Sequence, residues 1–155
     1  QWRLVEASSS LPLISPAVAY EGTMLMDGGA SDSIPIRRAQ EDGCTRLVAV
    51  LTQHAAYRKK KSRAQAMLRI VYGRKYPQLV EALGRRHTVY NEQLDYAAEQ
   101  EKAGSVYLIR PTNPVAVGRM ERNPEKIRAL YQIGYLDGKA NAARVKAFLR
   151  EEDSP

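Results

Sequence analysis

The feature that most constrains the fold is the order strand, helix, glycine, strand between residues 23 and 52. A short apolar run, Thr23–Met26, comes first, and a short helical segment, Arg37–Asp42, is ended by Gly43. The next run, Arg46–Thr52, is apolar and β-branched at its centre, which is typical of a buried strand. This order is half of a parallel α/β unit. Because the strands are too few for a full sheet, the pattern indicates that a preceding part of a longer protein supplies the others.

An acid and two glycines follow the first of these strands. Val18–Tyr20 and Thr23–Met26 flank Glu21-Gly22, which is a compact hairpin signal, and this hairpin directs Asp27. We expect Gly28 and Gly29 to turn the chain with positive φ and to let another group come close to the backbone. A carboxylate at the end of a strand lies where open α/β folds keep their working groups.

The polar loop after the glycines leads into a helix. Ser31 and Asp32 suit turn or cap positions, and Pro35 suits the first turn of a helix from Ile36 to Glu41. We therefore interpret Asp32 as the cap of that helix and not as a second catalytic acid.

The stretch Asp27-Gly28-Gly29, followed by an Ile-Pro-Ile helix, a glycine and an apolar strand, resembles the aspartate motif of bacterial patatin-like phospholipases. Ala7–Pro12 is similar to the segment that precedes this motif in the family. The resemblance implies a lipid acyl hydrolase with a Ser–Asp dyad, in which Asp27 assists the serine without a histidine and without a metal or organic cofactor. The family's Gly-x-Ser-x-Gly elbow and Gly-rich oxyanion loop lie upstream of this motif, so the chain resembles the C-terminal part of such an enzyme.

The resemblance also implies a fold and a division of the chain. The predicted fold class is α/β, with the C-terminal part of a patatin-like three-layer α/β/α domain over residues 1–56. A mainly helical region with one extra strand follows over residues 57–155. The basic segment Arg58–Arg63 is the predicted boundary.

Helical spacing dominates the second region. Apolar residues recur at helical intervals from Ala64 and continue to Lys102, where Gly104 stops the helix. Ser105–Arg110 is a second apolar strand. Asn123-Pro124-Glu125 predicts a capped helix start, and the pattern runs to Arg150 with an interruption at Gly134 and an inward face that includes Leu149.

Other residues offer alternative chemistry. Ser8–Ser10 lack the flanking glycines of a nucleophile elbow, and Asp27 in a plain turn would bond its own backbone. His54 and His87 have no partners at metal-ligand spacing, and we interpret both as ordinary residues, although Asp before His also agrees with a Ser-His-Asp order. Cys44, the one cysteine, is interpreted as a small filler between helix and strand.

Positive charge is concentrated in one stretch. Tyr57–Tyr90 contains ten Lys or Arg and one acid, although the whole chain carries a net charge of only +7. This stretch has three interpretations: a solvated helical face, contact with anionic lipid head groups, and nucleic-acid binding, which is the weakest because no named motif is present.

The sequence thus predicts part of a serine lipid acyl hydrolase that acts on a lipid ester and needs the missing N-terminal part as its partner. The single cysteine and the absence of an apolar run of membrane-spanning length predict a cytoplasmic protein, with peripheral membrane contact as an additional interpretation. The alternative is a non-catalytic basic module that binds anionic lipid or nucleic acid.

Overall fold

The structure, a computed structural model, describes residues 2–114, 117–118 and 121–150. It is a mixed α/β fold that is mostly helical, as the sequence predicts, with one small antiparallel and one small parallel sheet. In chain order the elements are α1 (Trp2–Ser8), β1 (Val18–Tyr20), β2 (Thr23–Leu25), α2 (Ile36–Glu41), β3 (Leu47–Val50), α3 (Gln65–Tyr72), α4 (Pro77–Lys102), β4 (Val106–Ile109) and α5 (Pro124–Arg150). A single 3-10 turn, Gly28–Ala30, lies between β2 and α2.

Two compact units make up the chain, and each combines an early and a late segment. The first unit contains Gln1–Pro35 and Lys59–Asp95, and the second contains Ile36–Arg58 and Tyr96–Pro155. The division into residues 1–56 and 57–155 remains a prediction.

In the first unit, a hairpin packs against α1. Strands β1 and β2 pair with Val18 opposite Leu25. Glu21 and Gly22 have φ values of 46° and 76°, as a type I′ turn requires at both central positions. The predicted hairpin is confirmed. The buried apolar residues of this unit are Ala7, Val18, Ala30, Ile34, Leu68, Val80 and Tyr90.

In the second unit, β3 pairs with β4 in parallel, with Leu47 opposite Val106. The strand predicted as an extra element of the helical region is therefore the sheet partner of β3. The predicted burial of β3 is wrong at its end, because the side chain of Val50 is 70% exposed. Helix α5 contacts β4, where Val106 and Leu108 are buried, and β3 is covered less completely.

Two glycines end helices as predicted. Gly43 and Gly104 have φ values of 91° and 78°, and the following amides bond back to the helix, Cys44 N to Ala39 O (3.0 Å) and Ser105 N to Gln100 O (3.1 Å). This is the hydrogen-bond pattern of a Schellman motif. Cys44 itself is exposed, so its interpretation as a small filler between helix and strand is wrong.

Helix α5 begins at its predicted cap but differs from the prediction further along. Asn123 Oδ1 accepts a hydrogen bond from Glu125 N at 2.9 Å. The predicted interruption at Gly134 is wrong, since the helix is continuous to Arg150; a single helical glycine costs only about 1 kcal/mol. The predicted inward face is also wrong at Leu149, which is 53% exposed. No helix in the described ranges is both long enough and apolar enough to cross a membrane.

Candidate active site at the Asp-Gly-Gly turn

Asp27 is the second residue after the hairpin and directly precedes the 3-10 turn. Its backbone N–H donates to Ser10 O at 3.0 Å, which ties the end of β2 to the end of α1. Its side-chain Oδ1 accepts a hydrogen bond from Gly29 N at 2.7 Å, so Asp27 caps the turn. The carboxylate is half-buried, and Oδ2 has no hydrogen-bond partner among the described residues. One oxygen is thus used for the turn and the other is available. We call residues 27–31 the Asp27 turn.

The two glycines of the turn have different reasons to be glycine. Neither Gly28 nor Gly29 has a positive φ, so that expectation is wrong. A Cβ on Gly29 would lie 3.0 Å from Asp27 Oδ1 and 3.4 Å from a guanidinium nitrogen of Arg86, whereas a Cβ on Gly28 would meet nothing within 4 Å. The predicted close approach is confirmed at Gly29, where the lack of a side chain leaves room for the carboxylate and for Arg86.

Helix α4 fixes the turn and the loop after it from one face. Arg86 Nε donates to Gly29 O. Seven residues later, Gln93 Oε1 accepts from Ser33 N at 3.3 Å and from Ile34 N at 3.2 Å. Gln93 Nε2 donates to Asp32 Oδ1 at 2.5 Å, so the prediction that Asp32 caps α2 is wrong. Residues seven apart on a helix lie on the same face, which lets both side chains reach the loop.

The serines near the turn serve the backbone. Ser10 is only 2% exposed, and its hydroxyl donates to Pro16 O. Ser9 Oγ, directly after α1, donates to Val5 O of that helix at 3.1 Å. These hydroxyls are used in local structure, which agrees with the lack of an elbow pattern around them.

A cavity of about 290 Å³ lies beside Asp27 within the first unit, and we call it the apolar cavity. The hairpin and the turn form one side, and the start of α4 forms the other. Its lining residues are Ala17, Met24, Met26, Asp27, Gly28, Ala30, Ser31, Tyr76, Gln78, Leu79 and Ala82. Most of this lining is apolar, and the one ionisable carboxylate in it is Asp27.

A second cavity of about 320 Å³ adjoins the first, and we call it the polar cavity. It shares Ser31, Gln78 and Ala82 with the apolar cavity. Its other lining residues are Glu81, Arg85 and Val89, so it brings a carboxylate and a guanidinium next to the apolar cavity.

The remaining candidates from the sequence occupy ordinary positions. His87 Nδ1 lies 3.1 Å from Gly84 O of its own helix, and His54 makes an edge contact with Tyr57. The described part of the chain contains no group of three His, Cys, Asp or Glu side chains arranged to hold a metal ion. In the basic stretch, the Lys59 ammonium lies 4.6 Å from the ring centre of Tyr90, so part of this positive charge packs against the protein.

Comparison with known proteins gives similarity to three groups. Residues 76–150 match the family model of a domain of unknown function, DUF6363. The lysophospholipase NTE1 of Meyerozyma guilliermondii is 39% identical over 49 residues, which are 32% of this chain and 3% of that protein. The NTE1 of Eremothecium gossypii is 43% identical over 49 residues, with the same shares. The uncharacterized protein YjjU of Escherichia coli is 25% identical over 150 residues, 96% of this chain and 42% of that protein.

The chain therefore spans less than half of YjjU and a few per cent of the lysophospholipases that it matches. No solved structure matches it. The similarity relates the chain distantly to proteins named lysophospholipases. The DUF6363 match begins at Tyr76, so it contains α4, which holds the Asp27 turn, as well as β4 and α5.

Proposed function

We propose that this chain is the C-terminal part of a patatin-like serine lipid acyl hydrolase and that Asp27 is the aspartate of its Ser–Asp dyad. One observation carries the proposal: a half-buried carboxylate with one available oxygen, Oδ2, lines an apolar cavity at the end of a hairpin strand. The distant similarity to proteins named lysophospholipases supports the same class of reaction.

In the proposed reaction, a serine hydroxyl from the preceding part of the protein attacks the ester carbonyl. Asp27 Oδ2 accepts the hydroxyl proton, while the hydrogen bond from Gly29 N to Oδ1 keeps the carboxylate in one orientation. A glycine-rich loop in the same preceding part stabilises the oxyanion, and when this intermediate collapses the alcohol leaves with the proton that Asp27 accepted. Water, which gives its proton to the same carboxylate, then hydrolyses the acyl-serine and releases the fatty acid. The reaction requires no metal or organic cofactor. This chain alone should be inactive until the other half is supplied.

The experiment is the substitution Asp27→Asn in the complete protein. The amide oxygen of asparagine still accepts from Gly29 N, so the turn and the fold should be retained, but the side chain is a far weaker proton acceptor. We expect ester hydrolysis to be abolished. The matched control is Asp32→Asn, since Asp32 is an exposed carboxylate five residues away whose Oδ1 accepts from Gln93. Near-normal turnover by the Asp27→Asn protein would refute the proposal.

A second candidate function is a basic module that binds anionic surfaces without catalysis. Lys60, Lys61 and Arg63 are exposed, and these side chains favour it. Binding to vesicles with anionic lipid, but not to oligonucleotides, would indicate peripheral membrane contact. A complete protein without a Gly-x-Ser-x-Gly segment before Gln1 would favour this second function over the first.

A further inference from the structure

We infer that one face of helix α4 forms a wall of the lipid site and sets its specificity, with Leu79 and Ala82 facing the acyl chain and Arg85 binding the head-group phosphate. This inference rests on the proposed function. It gives a role to α4, which lies in the region that matches a domain of unknown function.

The first argument is the spacing of the α4 residues that line the two cavities. Gln78, Ala82, Arg85 and Val89 line the polar cavity, and they recur at intervals of four, three and four residues. These intervals place them on one face of α4. Gln78 and Ala82 also line the apolar cavity, so a single face of the helix runs along both cavities and passes the point where they adjoin.

The second argument is the composition of the side chains that line the apolar cavity. Its wall on the hairpin side contains Met24 and Met26, and its wall on the α4 side contains Leu79 and Ala82. Methionine is a flexible side chain that adapts to irregular apolar partners. Each methylene of a ligand that leaves water for such a surface strengthens binding by roughly fourfold. An acyl chain is the part of a lipid ester that gains most from this lining, and Asp27 belongs to the same lining.

The third argument is the pair of charged side chains, Arg85 and Glu81, that line the polar cavity. Arg85 is exposed and has no hydrogen bond or ion pair with the residues that the structure describes. A guanidinium binds phosphate oxygens in a bidentate manner. Glu81 lines the same cavity one turn earlier, and its charge disfavours a second negative charge on the ligand. The cavity pair therefore fits a lipid that places an acyl chain in the apolar cavity and whose head group carries one phosphate charge.

The first test changes the acyl wall in the complete protein. Ala82→Leu adds three carbon atoms to the wall, so the preferred acyl chain should shorten, and the ratio of kcat/KM for hexadecanoyl to butanoyl p-nitrophenyl esters should fall by at least about tenfold. The matched control is Ala98→Leu, a half-buried α4 alanine outside both cavities, which should leave the ratio unchanged. Circular dichroism checks the fold, and Leu79→Ala, which enlarges the cavity, should shift the preference towards longer chains.

The second test changes the polar wall. Arg85→Gln should lower the ratio of lysophospholipid to monoacylglycerol hydrolysis by about tenfold, because only the first substrate carries a phosphate. Arg69→Gln is the matched control, since Arg69 is an exposed arginine of α3 outside both cavities.

The two proposals fail differently. If the protein hydrolyses lipid esters but neither cavity substitution changes chain-length or head-group preference, this inference is overturned and the proposed function stands. If no ester is hydrolysed, binding of an ether-linked single-chain phosphocholine lipid is measured in the Asp27→Asn protein. Weaker binding with Ala82→Leu or Arg85→Gln, but not with the controls, then supports the inference without the reaction. Binding equal in all variants overturns it.

Discussion

Replacement of Gly29 by alanine tests whether space at the Asp27 turn, and not glycine flexibility, is what the turn requires. The added Cβ would lie 3.0 Å from Asp27 Oδ1, so the carboxylate must move and its 2.7 Å hydrogen bond from Gly29 N must weaken. Gly28→Ala is an internal control, because a Cβ there meets nothing within 4 Å and the backbone has no positive φ.

The magnitude follows from these two positions. A hydrogen bond to a charged group contributes about 1.5–3 kcal/mol, while alanine in place of a glycine with compatible φ stabilises by about 0.4–1 kcal/mol through the unfolded chain. Gly29→Ala should therefore destabilise by about 1–2 kcal/mol, and Gly28→Ala should be neutral or slightly stabilising. For a chain of this size, 1 kcal/mol corresponds to roughly 2–4 °C in Tm.

The assays are thermal unfolding followed by circular dichroism and ester hydrolysis by the complete protein. Gly29→Ala should lower Tm by roughly 2–8 °C and lower kcat by about tenfold or more, because a displaced acid loses its alignment with the hydroxyl. Equal Tm and equal kcat for the two alanine variants would refute the spatial reasoning. A loss of stability in both would show instead that the turn needs glycine for its backbone.

Two further predictions concern side chains that hold backbone groups. Arg86→Ala removes the donor to Gly29 O, so kcat should fall by about tenfold with KM unchanged. Arg86→Lys should restore part of the lost kcat. An equal loss of kcat in both variants, or a change in KM alone, would contradict a positioning role for Arg86. The pKa of Glu121 is lowered, chiefly by the backbone N–H of Asn123 and then by that of Arg122. The contribution of this carboxylate to the free energy of unfolding is therefore fully present above the ordinary glutamate pKa. It is lost as the pH falls through the lowered pKa. An NMR titration that places Glu121 at or above the ordinary value would contradict this.

Local signals of the sequence predicted local structure well. The turn at Glu21-Gly22, the helix ends at Gly43 and Gly104, and the cap at Asn123 depend on φ values and on hydrogen bonds within a few residues. These turns, helix ends and caps can therefore be predicted from residues that are close together in the sequence.

Distant contacts were not predicted. Arg86 bonds a carbonyl 57 residues away, and Gln93 bonds amides about 60 residues away. In the sequence, Arg86 is one of many cations in a basic stretch, and no local pattern separates it from the others. The exposure of Val50 and of Leu149 was missed for a similar reason, since apolar character predicts a preference for burial but does not supply the surface that covers the residue.

The same helix that lines both cavities also holds the acid in place, and this has an evolutionary consequence. The lining positions Leu79, Ala82 and Arg85 differ from the holding positions Arg86 and Gln93. Under the proposed function, substitutions at the lining positions can therefore change the preferred lipid while Asp27 stays aligned. Under the proposed function, lipid preference and the alignment of Asp27 then depend on different residues of the same helix and can change independently.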